Sequence, residues 1–244
     1  MAVTSSRLLR SATLAVAVGM VLTGCLPGAG GAPTDDDPDR NEHGVIHTGP
    51  EPTAMTHEDG VEVWDLTVPP SVEAFGIDTD VPSRTSIFVG AYSSTSTGPR
   101  PVRLLVPSGG PVDVEATEVI FDVRDNEEAI AGTTPDEVLL PEGRLFSLSV
   151  RVPGGEGGEA GLATYRAVLG QLGLSDDSAW ELEQKIASPE PVDPLGPTTR
   201  VGVGADQPRT EGVQMGVGTS FDPSREDQLF TLQVSAYWDP VPIP

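Results

Sequence analysis

Arg144-Leu145-Phe146-Ser147-Leu148-Ser149-Val150-Arg151-Val152 runs into Pro153-Gly154-Gly155-Glu156-Gly157-Gly158, and beyond that turn the spacing of apolar side chains changes. Up to Val152 the period is two. Phe146, Leu148, Val150 and Val152 alternate with Ser147, Ser149 and Arg151, as on a strand with one buried face. After the glycines, Leu162, Tyr165, Leu169 and Leu172 lie 3, 4 and 3 residues apart, the spacing of one helix face, and Gly173 stands in the closing position. A second helix follows. Ser175 or Asp176 caps it, Ala179, Leu182 and Ile186 form its stripe, and Glu181 precedes Lys185 by four residues. Pro189, Pro191 and Pro194 stop it.

Strand patterns flank this helix pair on both sides. Upstream, residues 61–68 alternate Trp64, Leu66 and Val68 with Asp65 and Thr67, and Pro69-Pro70 ends the run. Residues 86–92, 102–106 and 118–123 read as further strands, with a Ser/Thr/Gly/Pro loop over 93–101. Downstream, residues 200–205, 212–221 and 228–238 return to strand, and in the last run Phe230, Leu232, Val234 and Ala236 alternate with Thr231, Gln233 and Ser235. Gly202, Gly204, Gly216 and Gly218 narrow two of these strands, which is read as close backbone packing or a bend; a ligand groove is the sharper alternative. The expected class is α+β: an antiparallel β-sheet with a two-helix hairpin, residues 160–187, packed on one face.

The N-terminus carries an address. Arg7 and Arg10 precede an apolar run over residues 11–22, too short to span a bilayer, which ends in Leu22-Thr23-Gly24-Cys25. This resembles the lipobox of bacterial lipoproteins, with every position filled. The resemblance implies that residues 1–24 are a signal peptide, that Cys25 receives a diacylglyceryl group, and that Cys25 becomes the first mature residue. A thiolate is the required nucleophile, and two acyl chains hold stably where one does not. The implied location is the extracytoplasmic face of the cell membrane. Cys25 is the chain's one cysteine, so no intrachain disulfide is expected.

From residue 26 to about residue 60 the chain is rich in Pro, Gly, Asp and Thr, and residues 25–60 read as a lipid-anchored, flexible acidic tether. His43, His47 and His57 fall within it. His43 and His47 have the spacing of a zinc-binding helix, but Gly44, Gly49, Pro50 and Pro52 oppose a helix there, so these histidines read as solvated. Residues 61–244 are then one folded domain, and whether 61–125 forms a β subdomain is left open.

Charge excludes one class of partner. Removing Arg7 and Arg10 leaves 12 of the 14 basic residues against 37 acidic ones, a balance of −25. Such a chain repels nucleic acid and favours a basic or cationic envelope partner. Chemistry-bearing motifs are missing from residues 61–244: there is no histidine, no cysteine, one lysine, and no nucleophile elbow or zincin pattern. Gly154-Gly155-Glu156-Gly157-Gly158 lacks the Lys-Ser/Thr of a phosphate loop and reads as a hinge. Asp122, Asp125, Asn126, Glu127 and Glu128 offer oxygen ligands without EF-hand spacing and read as a solvated acidic loop. No catalytic residue, metal ligand or cofactor site is assigned; Cys25 is the single modification site. The expected function is a non-catalytic ligand- or protein-binding lipoprotein, with a carboxylate-dependent hydrolase of cell-wall polymer as the alternative.

Overall fold

A computed structural model describes residues 45–47, 50–77, 89–93, 99–131, 138–154, 158–187, 201–221 and 231–244, all within one compact unit. In chain order the elements are β1 (Val45–His47), β2 (Met55–Glu58), β3 (Val61–Asp65), β4 (Val89–Ser93), β5 (Arg100–Leu105), β6 (Val112–Ala116) and β7 (Glu118–Asn126). They continue with β8 (Ile130–Ala131), β9 (Val138–Leu140), β10 (Gly143–Pro153), α1 (Gly158–Gln171), α2 (Asp177–Ala187), β11 (Val201–Asp206), β12 (Val213–Phe221) and β13 (Thr231–Trp238). The class is mixed α+β.

The larger sheet has the order β1-β4-β7-β10-β13-β12-β11, and each neighbouring pair is antiparallel. β10 lies at its centre because its alternation leaves Phe146, Leu148, Val150 and Val152 buried on one face. The register puts Leu148 opposite Phe121 and Ala236, and Val150 opposite Val119 and Val234. One face of the sheet is therefore a continuous apolar surface. On it Phe121 stacks on Phe75 with ring centroids 4.2 Å apart, and Trp64 and Trp238 lie 4.7 Å and 4.9 Å from Phe121 and Phe75 respectively. Contacts of this kind exceed simple area burial by about 1 kcal/mol each.

The second sheet has the order β2-β3-β5-β6 and departs from the expected architecture. β3 and β5 are parallel, so the sheets are not all antiparallel. Parallel neighbours require a crossover, which residues 66–99 supply. Leu66, Ala74, Phe75 and Ile77 at its start are buried, with Ser71 Oγ accepting from the Ala74 N–H at 3.0 Å. Trp64 and Leu66 are buried and Thr67 is exposed as their alternation requires, but the strand ends at Asp65 and the burial extends back through Val63 and Glu62. Glu62, Val63 and Trp64 are consecutive and all buried, because an interior strand has partners on both edges and cover on both faces. Glu62 is neutralised there by Arg100 Nε at 2.7 Å and accepts from Trp64 Nε1 at 2.6 Å.

The folded region begins before Val61. β2 pairs with β3 and β1 with β4, so the expected tether boundary at residue 60 falls after two strands of the domain. Ala54 and Met55 are buried, and the Ala54 N–H donates to Ala74 O at 3.0 Å. Gly76, at φ +66°, lies so near Pro50 O that a Cβ would collide with it. Composition suggested an unfolded segment; two short apolar anchors and a glycine seat tie its end down. Residues 61–125 do not make a sheet of their own, since β3, β5 and β6 belong to one sheet and β4 and β7 to the other.

α1 carries its stripe inward: Leu162, Tyr165, Val168, Leu169 and Leu172 are all buried. It ends in a Schellman arrangement. The Gly173 N–H donates to Gly170 O at 3.1 Å and the Leu174 N–H to Leu169 O at 2.9 Å, with Gly173 at φ +65°. Asp176 O accepts the first bond of α2 from Trp180 at 2.9 Å, and the Glu181–Lys185 pair forms at 2.6 Å. Two helix side chains bond strand backbone, and one side chain from beyond β11 bonds backbone at the end of α1. Gln171 makes two hydrogen bonds to Asp113, Lys185 Nζ donates to Gly202 O at 3.2 Å, and Gln207 Nε2 donates to Leu172 O.

Candidate functional site

Cys25, the one residue assigned a role from sequence, lies outside the described residues, as does His43. His47 stands in β1 and His57 in β2, so these two fall in different sheets. Among the described residues no group of three or more His, Cys, Asp or Glu is arranged to hold a metal ion. No described helix is long and apolar enough to cross a membrane.

The acidic loop after β7 is built around an ion pair. Asp125 and Arg144 are direct cross-strand partners of β7 and β10, and the guanidinium grips the carboxylate through Nε at 2.6 Å and Nη2 at 2.7 Å. Hydrogen bonding to Arg144 lowers the Asp125 pKa against the opposing effect of burial, and the same bond raises that of Arg144. Asn126 Nδ2 donates to Pro141 O at 2.7 Å and ties the loop back. Arg124, Asp125, Asn126, Glu127, Glu128 and Ile130 line an open concavity of about 440 Å³ beside it. The Asp125 carboxylate is committed to Arg144 and has no proton to give near neutral pH. It suits binding and orientation more than acid catalysis.

The glycine-rich strands form a second feature. Gly204 stands opposite Gly218, Gly202 opposite Ser220 and Asp206 opposite Gly216. The Asp206 carboxylate folds over Gly216, so a Cβ there would have to push that carboxylate aside. That position costs Asp206 hydration and raises its pKa, although much of the residue still faces solvent. Val201, Val203 and Ala205 pack against the core, whereas Gly202 and Gly204 are exposed. Sequence reasoning noticed the glycines and missed Asp206. The signal was Val201-Gly202-Val203-Gly204-Ala205-Asp206 itself, a strand with one face stripped of side chains until an acid closes it.

Besides the Glu181–Lys185 pair, four further surface pairs among the described residues join one arginine to one acid. Arg103–Asp113 at 2.7 Å, Arg151–Glu118 at 2.5 Å, Arg166–Glu183 at 2.8 Å and Arg209–Asp239 at 2.5 Å leave the acid excess uncompensated elsewhere. No family model, curated protein or solved structure matches this chain.

Proposed function

We propose that this chain is an extracytoplasmic lipoprotein, held to the cell membrane by lipid on Cys25, whose α+β domain is a non-catalytic ligand- or protein-binding module. Leu22-Thr23-Gly24-Cys25 after an apolar run carries the anchoring half of this reading. The binding half is supported by the commitment of Asp125 to Arg144 in an acidic concavity, and by a net charge of −23 that attracts basic or cationic partners and repels nucleic acid. The helix hairpin belongs, in this reading, on the apolar face of the seven-stranded sheet. Leu162, Tyr165 and Leu169 share one hydrophobic cluster with Val217 and Phe221, which supports that arrangement.

Mass spectrometry of the mature N-terminus tests the anchor. A diacylated peptide beginning at Cys25 is expected, together with release from membranes in Cys25→Ser; an unmodified peptide with another start would overturn it. The full chain in detergent, screened against cell-wall glycans and peptides for both binding and turnover, tests the module. Binding without turnover is expected, weakening as salt screens charges beyond about 8 Å. Turnover abolished by one Asp→Asn or Glu→Gln change would replace this reading with a carboxylate-dependent hydrolase.

A further inference from the structure

β11 is the last strand of the seven-stranded sheet, and β12 is its partner among the described residues. The direction of its backbone groups follows from two hydrogen bonds. Beyond the strand the Gln207 N–H donates to Met215 O at 2.7 Å, so the odd-numbered residues turn towards β12. Gly202, Gly204 and Asp206 therefore turn their N–H and C=O groups away from the sheet. Lys185 Nζ, donating to Gly202 O at 3.2 Å, reaches that carbonyl from α2, which packs against β11. Gly202 and Gly204 are exposed, with no side chain to shield this edge.

The end of the other sheet is handled differently. Gln171 accepts from the Asp113 N–H at 2.6 Å and donates to Asp113 O at 3.1 Å, the two bonds that a neighbouring strand would make. β6 is thus closed at Asp113 by a side chain imitating a strand. Among the described residues the Gly202 carbonyl has such cover, and no described residue pairs with the outward ladder groups of Gly204 and Asp206.

We propose that the outward edge of β11 takes an extended peptide as an antiparallel eighth strand, with a basic side chain opposite Asp206 and bulky side chains opposite Gly204 and Gly202. This rests on the binding-module reading and assigns its site. Main-chain bonds supply affinity in such additions, and alternate side chains supply specificity. Over the glycines there is room for large rings, as when aromatic side chains cover a cross-strand glycine. The intervening side chains of the guest would lie on the face of Val203 and Ala205. Asp206 makes no ion pair among the described residues; its carboxylate rests over Gly216 and would swing from β12 to the outward side to meet a guest cation, next to the Lys185 that already pairs with Glu181. The basic guest follows from charge: a second copy would bring a further −23 to the contact, whereas an arginine is drawn in and then paired.

The probe is the capped peptide threonyl-arginyl-valyl-tyrosyl-valyl-tyrosyl-threonine, added to the full chain in detergent. It is expected to slow hydrogen exchange at the Gly204 and Asp206 amides. An analogue N-methylated at the amides facing β11 keeps the charge and side chains and should bind at least tenfold more weakly. Gly204→Pro removes an outward N–H at an edge position that tolerates proline, so it should abolish binding without lowering the melting temperature. Asp206→Asn should weaken binding about fivefold. Equal binding of the methylated analogue, protection at other amides, or no binding of the parent peptide would overturn the proposal whatever the protein variants do. A dimer in sedimentation that Gly204→Pro dissolves would give the edge to a second copy and overturn it too. A natural partner still captured by Gly204→Pro would remove the β11 assignment while leaving the binding-module reading intact.

Discussion

Arg144 faces Asp125 across β7 and β10, and the consequences of separating them can be worked out from burial. The Asp125 side chain is 5% exposed and that of Arg144 is 23% exposed, so removing the cation strands a nearly buried carboxylate. Arg144→Met should cost about 2 kcal/mol, towards the low side of buried pairs because the arginine is partly wet. The double variant Arg144→Met/Asp125→Asn should recover much of that loss in urea unfolding. The pH dependence has a definite sign. Asp125 has a depressed pKa in the fold, so its contribution is complete above the ordinary carboxylate range, near 4, and is lost as pH falls through the lower folded value. Asp125→Asn should therefore flatten the acid limb of a plot of melting temperature against pH. Asp206 behaves in the opposite way. Its raised pKa makes the fold most favourable below the unfolded value, and stability declines as pH rises through the folded one. Asp206→Asn should raise the melting temperature at pH 7 and leave it unchanged at pH 3. Neither behaviour was legible beforehand. Residues 125 and 144 are 19 apart, and only the hairpin register brings them together.

At the scale of elements, the clearest sequence signals were those with one buried face. β10 and α1 read correctly because their apolar residues fall at periods of 2 and 3.6 and their opposite faces are polar. Gly173 was recognisable as a helix end because a left-handed residue is needed there. Gly173→Ala should cost about 1 kcal/mol, an effect of backbone conformation, since nothing lies within 4 Å of the added Cβ. Leu169 is fully buried, and Leu169→Asp should unfold the domain, costing at least about 3 kcal/mol, because its carboxylate would have no partner. An unchanged melting curve would remove α1 from the core. In β3 the alternation of Trp64 and Leu66 with Asp65 and Thr67 was legible, whereas the burial of Glu62 beside Val63 was not, because its partner Arg100 is 38 residues away. β6 went unread although Val112, Val114 and Ala116 alternate with Asp113 and Glu115. Its two acids lower the mean hydropathy of a five-residue strand, and the stronger run of β7 begins two residues later.

The whole molecule draws its sheets from distant parts of the chain. Gln233 Nε2 meets Ser149 Oγ across 84 residues at 2.9 Å, while β3 and β5 pair in parallel over the crossover. Local patterns announced strands but could not announce these partners, and so the edge at β11 was invisible until the strand order was known. High contact order predicts slow folding, in the range of milliseconds to seconds for a two-state domain, which stopped-flow tryptophan fluorescence would measure through Trp64 and Trp238. The position of β13 adds a further constraint. The last strand in sequence sits inside the larger sheet, between β10 and β12. A ribosome delivers residues in order, so the two halves of that sheet wait for their joining strand until Trp238 has been made. A nascent chain ending at Phe221 should remain sensitive to protease, and protection should arrive abruptly once Trp238 has emerged. Until β13 emerges, β10 and β12 stand with their facing edges unjoined, and the sheet cannot close on the ribosome.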